Sequence, residues 1–153
     1  MPIVNSNQGA CYEYKFVTSF EETNVVGNIY FANYAVWQGK CREMFLYEYC
    51  PDIIDEIKNG LHLITLDLSI QYIGQLFAFN KVVMRMYMET QSVSRILMRF
   101  EYYVEKDGVL SLVCKGHQAT AAMREINGMM VSTHFPESMM DIEGLLLQAE
   151  TVY

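Results

Sequence analysis

Phe20-Glu21-Glu22-Thr23-Asn24-Val25-Val26-Gly27-Asn28-Ile29-Tyr30-Phe31-Ala32-Asn33-Tyr34 reads as the end of a strand, a polar turn carrying Gly27, and the first turns of a helix. The helix runs on through Trp37-Gln38-Gly39-Lys40-Cys41-Arg42-Glu43-Met44-Phe45-Leu46. A polar turn opening onto a helix N-terminus gathers backbone N–H donors with no intrahelical partner, so it can hold an anion or an oxyanion. Asn24 stands just ahead of that terminus, Tyr30 and Phe31 lie at it, and Tyr34 and Arg42 follow one to three turns inside. The plainer reading of the same residues is an N-cap region with a solvated helix face.

Working outward, residues 12–20 are rich in aromatic and β-branched side chains and read as a first strand. The helix then occupies roughly 29–49. Ala32, Ala35, Val36 and Gly39 fall at i, i+3, i+4 and i+7, a stripe of small residues expected to press against a sheet. Pro51 ends the helix, and 52–59 form a short second one stopped by Gly60. Beyond Gly60 the period changes to two. Ile64, Leu66, Leu68, Ile70 and Tyr72 alternate with polar residues, 74–80 interrupt as a loop, and strands follow at 81–90, 94–106 and 110–124. Lys106-Asp107-Gly108 and Asn127-Gly128 read as tight turns, and Pro136 as the start of a C-terminal helix. One strand, one long helix and four more strands are best packed by curling the sheet around the helix, an α+β fold. The sheet's outer face would still expose apolar area, which favours assembly of several copies.

Composition narrows the classes. A chain of 153 residues suits one domain, 1–153, and with 52% apolar and 19% charged residues it has a globular profile. No apolar run is long enough for a membrane span, and 1–7 lack the order of a signal peptide, so a cytoplasmic protein is expected. Four cysteines share no metal-ligand spacing and read as reduced, partly buried thiols; neither a metal nor another cofactor is expected. His62, His117 and His134 are scattered and suggest no triad. A net charge of −7 argues against nucleic acid as a partner. It also means that docking an acidic protein needs a local basic patch, for which Lys40, Lys81, Arg85, Arg95, Arg99 and Lys115 are candidates.

The order strand, polar turn, Gly27-Asn28-x-Tyr30-x-x-Asn33-Tyr34, helix resembles the 4-hydroxybenzoyl-CoA thioesterase branch of the hot-dog superfamily. The longer string 21–28, with Trp37 through Leu46, is similar to the thioesterases of enediyne polyketide biosynthesis. The resemblance is strongest over 20–50 and extends to about 125. It implies a hot-dog fold, a five-stranded antiparallel sheet around one long central helix. It also implies hydrolysis of a polyene β-ketoacyl chain from the acyl carrier domain of an iterative polyketide synthase in antibiotic biosynthesis, with decarboxylation of the released β-keto acid as a possible sequel. The partner would be that carrier domain with its phosphopantetheine-linked substrate, and the assembly a homotetramer, a dimer of dimers. The branch usually carries an Asp in the turn; Asn24 stands there instead, as in the enediyne subfamily. The family's Asn, Arg and helix Tyr carry over to Asn24, Arg42 and Tyr34.

The chemistry is consistent with those residues. Thioester hydrolysis puts negative charge on the carbonyl oxygen, which N–H groups near Tyr30 and Phe31 would receive. Asn24 is neutral and cannot act as a carboxylate base, but its amide can orient water or donate to the oxyanion. Arg42 brings a permanent charge suited to an oxyanion, a carboxylate or an enolate, against the plainer reading of a surface pair with Glu43 or Glu48. Glu21, Glu22 and Asp67 are the alternative carboxylates. Phe45, Tyr72, Phe77, Phe79, Met84, Met86 and Met88 either line an acyl tunnel or simply pack the core. Two other functions stand beside the first: a thioesterase acting on acyl- or aryl-CoA, and a non-catalytic acyl-binding hot-dog module.

Overall fold

The period-two segments become strands of one antiparallel sheet in the computed structural model, which describes residues 3–139. Five strands are long: β2 (Gly9–Val17), β3 (Leu61–Tyr72), β4 (Lys81–Gln91), β5 (Arg95–Lys106) and β6 (Val109–Ile126). Two short ones, β1 (Ile3–Ser6) and β7 (Met129–Ser132), raise the expected five strands to seven. The polar N-terminal residues conceal β1, which forms a hairpin with β2. The strand order is β1-β2-β4-β5-β6-β3, and β7 pairs with the far end of β6 through the Asn127-Gly128 turn, both residues at positive φ. The chain therefore adopts the hot-dog arrangement expected of it.

The central helix α1 spans Asn33–Tyr49, four residues later than the sequence suggests, and a short α2 spans Ile53–Lys58. The late start has a local cause. Ile29 donates its N–H to Leu76 O and Tyr30 donates to Glu22 O, so this stretch is tied to neighbouring loops before any helical turn can close.

The face that α1 buries also differs from expectation. Tyr34, Trp37, Gln38, Cys41, Phe45 and Leu46 are the buried positions, a stripe of large side chains at helical spacing. The small residues point elsewhere: Val36 is exposed, and a Cβ added to Gly39 would meet nothing within 4 Å. Large rings remove more apolar area from water, each worth roughly 1.5–3 kcal/mol when fully buried, so they take the sheet side. Phe45 meets Tyr12 edge-on with centroids 5.5 Å apart, and Trp37 meets Phe16 at 4.8 Å. Beneath them lie the inward columns of β4 (Val82, Met84, Met86, Met88) and β5 (Ile96, Met98, Phe100, Tyr102, Val104), all buried as their alternation predicts. The C-terminal helix expected from Pro136 falls almost wholly outside the described residues.

Candidate active site

The turn before α1 is held by hydrogen bonds that its own residue types supply. Glu22 closes a one-turn 3-10 helix (Phe20–Glu22): its carboxylate accepts from Ser19 N–H at 3.0 Å and from Trp37 Nε1 at 2.6 Å. Its carbonyl accepts from Tyr30 N–H and from Asn33 Nδ2. Both carboxylate oxygens are thus occupied in fastening the turn to the helix, while Glu21 is exposed. Thr23 then bridges to Ile29, and the chain reverses through Gly27 at φ +94°. Asn24 sits at the start of this small loop. Its Oδ1 accepts from Val26 N–H at 2.9 Å, which leaves the Nδ2 donor free to meet a ligand.

At the helix entrance the expected donors are only partly available. Tyr30 N–H is already spent on Glu22 O at 2.9 Å, which corrects the expectation for that residue. The N–H groups of Phe31, Ala32 and Tyr34 donate to no partner among the described residues. Tyr34 itself is a core residue, 3% exposed and packed against Trp37, Tyr72 and Tyr102. Burial pushes its hydroxyl up to about 12, opposed by a hydrogen bond from the Leu76 main chain, so it holds its proton at neutral pH. It anchors the loop around Leu76 and is no acid–base group.

Arg42 lies nine residues along α1 from Asn33, roughly 13 Å at the helical rise of 1.5 Å per residue. Among the described residues no hydrogen bond joins it to Asn24. Its Nη1 donates to Gln118 Oε1 at 2.8 Å, to Thr65 Oγ1 at 3.2 Å and to Thr120 Oγ1 at 3.3 Å. Among the described residues no carboxylate pairs with it: Glu43 acts only at a distance, and Glu48 accepts from Tyr12 OH. Nε is buried without a partner, and Nη2 donates to nothing among the described residues. Burial makes this guanidinium easier to deprotonate than usual. The surface-pair reading of Arg42 therefore has no support.

The guanidinium borders a cavity of about 540 Å³ between α1, α2 and β3. Leu46, Ile53, Ile57, Leu61 and Leu63 give it apolar walls, and Tyr47 and Ile54 stand at its exposed side. None of the aromatic and methionine residues considered as a tunnel lines it. Met84, Met86, Met88 and Phe45 belong to the core, and Phe77 and Phe79 are exposed near the turn. Asp67 is exposed on β3, which forms one edge of the sheet.

Sequence reasoning missed Gln118, Thr120 and Gly116, which build the floor under Arg42. The inward column of β6 reads Cys114, Gly116, Gln118, Thr120, Ala122, small and polar where β4 and β5 carry methionines and rings. That contrast was the available signal. The basic candidates are placed differently. Arg85 pairs with Glu13 at 3.0 Å, and Arg99 pairs with Glu89 and Glu101 on the sheet face away from α1, so these charges are neutralised locally. All four cysteines are buried, and none is in a disulfide. Among the described residues no cluster of His, Cys, Asp and Glu is arranged to hold a metal ion, and no helix is long and apolar enough to cross a membrane.

Comparison with solved structures places this geometry. The dynemicin thioesterase, whose crystal structures reveal induced-fit and allosteric effects upon polyene binding, is 33% identical; the match covers 89% of this chain and 96% of that one with a TM-score of 0.84. The DHNA-CoA thioesterase of Staphylococcus aureus matches at 23% identity, 89% and 93% coverage and a TM-score of 0.75. The 4-hydroxybenzoyl-CoA thioesterase of Pseudomonas sp. strain CBS-3 shares the fold at 9% identity, covering 86% and 98%, with a TM-score of 0.75. No protein-family model and no curated protein sequence matches the chain.

Proposed function

The chain belongs to the hot-dog thioesterase family, of the 4-hydroxybenzoyl-CoA thioesterase-like kind, and is a thioester hydrolase; we propose that its substrate is a polyene β-ketoacyl chain on the acyl carrier domain of an enediyne-type polyketide synthase. One observation carries this reading. A half-buried guanidinium with no counter-ion among the described residues borders an apolar cavity of about 540 Å³. Partly withdrawing such a charge from water is unfavourable, and a ligand that brings the anion offsets that cost. A long apolar chain with a β-keto acid or enolate at its head is complementary to that combination. The likeness to a polyene-binding thioesterase supports the same choice.

In the proposed reaction water adds to the thioester carbonyl, the oxyanion is held by hydrogen bonds, and the pantetheine thiol leaves. Asn24 Nδ2 and the free N–H groups at the entrance of α1 serve as donors; Asn24 and its neighbours orient the water. A thioester is reactive enough to need no strong base. Arg42 stabilises the anionic acid or its enolate. Asn24 and Arg42 act together if two chains pair. Two β3 edges joined about a two-fold axis run antiparallel, and so do the two α1 helices on the same face. The Asn24 end of one helix then approaches the Arg42 half of the other. Leu66, Leu68, Tyr72 and Ile73 are exposed along this edge, which favours such a dimer, and two dimers would form the proposed tetramer.

The test uses purified protein with carrier-bound polyene β-ketoacyl chains and with acyl-CoAs, following free acid and ketone by mass spectrometry. Arg42→Ala and Asn24→Ala are each expected to lower kcat/KM by about a hundredfold or more. Mixing the two variants under subunit exchange should restore about a quarter of wild-type activity, since half of the dimers then contain one intact site. Release no faster than the uncatalysed rate defeats the substrate assignment. Full activity of Arg42→Ala removes Arg42 from the mechanism, and absence of complementation removes the two-chain site.

A further inference from the structure

We propose that Gln118 is the positioning residue of Arg42, aiming the guanidinium through a relay of neutral amides that leaves its charge for a carboxylate-bearing ligand; the ligand's role as product rests on the thioesterase reading. The relay has one direction. Arg42 Nη1 donates to Gln118 Oε1 at 2.8 Å, Gln118 Nε2 donates to Gln38 Oε1 at 3.4 Å, and Gln38 Nε2 donates to Ser69 O at 3.2 Å. A guanidinium can only donate and a carbonyl can only accept, so the two ends lock both amides in one orientation. Gln38 is 0% and Gln118 2% exposed, which keeps water from competing for these bonds.

The backbone is shaped for the relay. A Cβ at position 116 would collide with Gln38 Nε2 and Ser69 O, so only glycine lets the Gln38 amide lie against β6. Tyr102 OH donates to Tyr34 O at 2.7 Å and also contacts the Gln38 side chain, closing the relay on its helix side.

The choice of neutral acceptors has a chemical consequence. Arg42 is oriented by Gln118, Thr65 and Thr120, all through Nη1. On the opposite side Nη2 keeps its donors without partners among the described residues, while Nε is buried behind it. An unspent guanidinium N–H with its charge intact suits a carboxylate oxygen. A glutamate at 118 would orient the same nitrogen equally well but would neutralise the charge. Glutamine orients it and leaves the charge unspent.

The experiment compares binding of decanoate and of decan-1-ol by titration calorimetry to wild type, Gln118→Glu and Gln118→Met. Both ligands fill an apolar cavity, but only decanoate requires the Arg42 edge. Gln118→Glu should weaken decanoate by about tenfold or more while decan-1-ol binds as in wild type. Gln118→Met, which keeps the volume and removes the acceptor, should weaken decanoate severalfold with the alcohol again unaffected. If the glutamate variant does not fold, the methionine variant decides. Unchanged decanoate affinity in a folded variant, equal losses for acid and alcohol, or no decanoate binding to wild type overturns the proposal. Failure of the wild type to hydrolyse the proposed thioesters defeats only the substrate reading, because the binding comparison needs no turnover.

Discussion

Glu22 shows how a single carboxylate can be misread. From sequence it is one of two acids beside the turn and a candidate for the base that Asn24 cannot be. In the fold its two oxygens hold Trp37 Nε1 and Ser19 N–H, and its carbonyl holds Tyr30 and Asn33. Glu22→Gln keeps an acceptor but loses one charge-assisted bond, so it should lower stability by about 1–2 kcal/mol in urea titrations. Turnover should stay within about threefold of wild type, because removing a true general base costs about a hundredfold or more. A collapse of kcat with unchanged stability would return Glu22 to the chemistry. Asn24 and Arg42 were legible from their string of neighbours. Gln118 and Thr120 were not, because they stand 76 and 78 positions from Arg42 and only the closing of the sheet brings them beneath it.

At the scale of elements, strand alternation was read nearly residue for residue in β4 and β5, since every inward side chain there is large and apolar. The helix was placed but turned wrongly. Its small-residue stripe suggested close approach to the sheet, whereas the rings one position away bury more area. β3 carried the cleanest alternation, yet Leu66, Leu68 and Tyr72 are exposed, and a bulge between Thr65 and Asp67 shifts the register. A period-two pattern marks a face to be covered without saying what covers it. Two glycines make the helix orientation testable. Gly116→Ala forces the Gln38 amide and the Ser69 carbonyl aside and should cost about 1–3 kcal/mol, with hydrolysis falling as Arg42 loses its support. Gly39→Ala lies in mid-helix with open space around it and should gain up to about 1 kcal/mol. Thermal unfolding of both variants checks the pair, and the reverse ordering would mean that the small stripe faces the sheet after all.

For the molecule as a whole, the titratable groups buried on both faces of the sheet make stability depend on pH in one direction. Burial pushes the hydroxyls of Tyr34 and Tyr87 up to about 12, and the thiols of Cys11 and Cys114 to about 11 and about 12. Tyr12, Tyr102, Tyr103 and Cys41 are moved upward by the same cause. Each is neutral when protonated, so the folded chain keeps protons that the unfolded chain releases near the ordinary values of 9.0 for a thiol and 10.0 for a phenol. Below pH 9 both states are protonated and the contribution of these groups is fully present. As pH rises toward 12 the unfolded state binds fewer protons and stability falls, by at most about 1.4 kcal/mol per pH unit for each group. Urea midpoints should therefore stay level from about pH 6 to 8.5 and decline steeply above about pH 9. Phenolate absorbance supplies the second reading. If the buried tyrosines are held by the fold, their ionisation should arrive as a step with loss of circular dichroism, separate from that of the exposed rings. Gradual ionisation of the full tyrosine complement near pH 10 with secondary structure intact would mean that water reaches the buried rings, and that the packing on the two sheet faces is looser than the contacts imply.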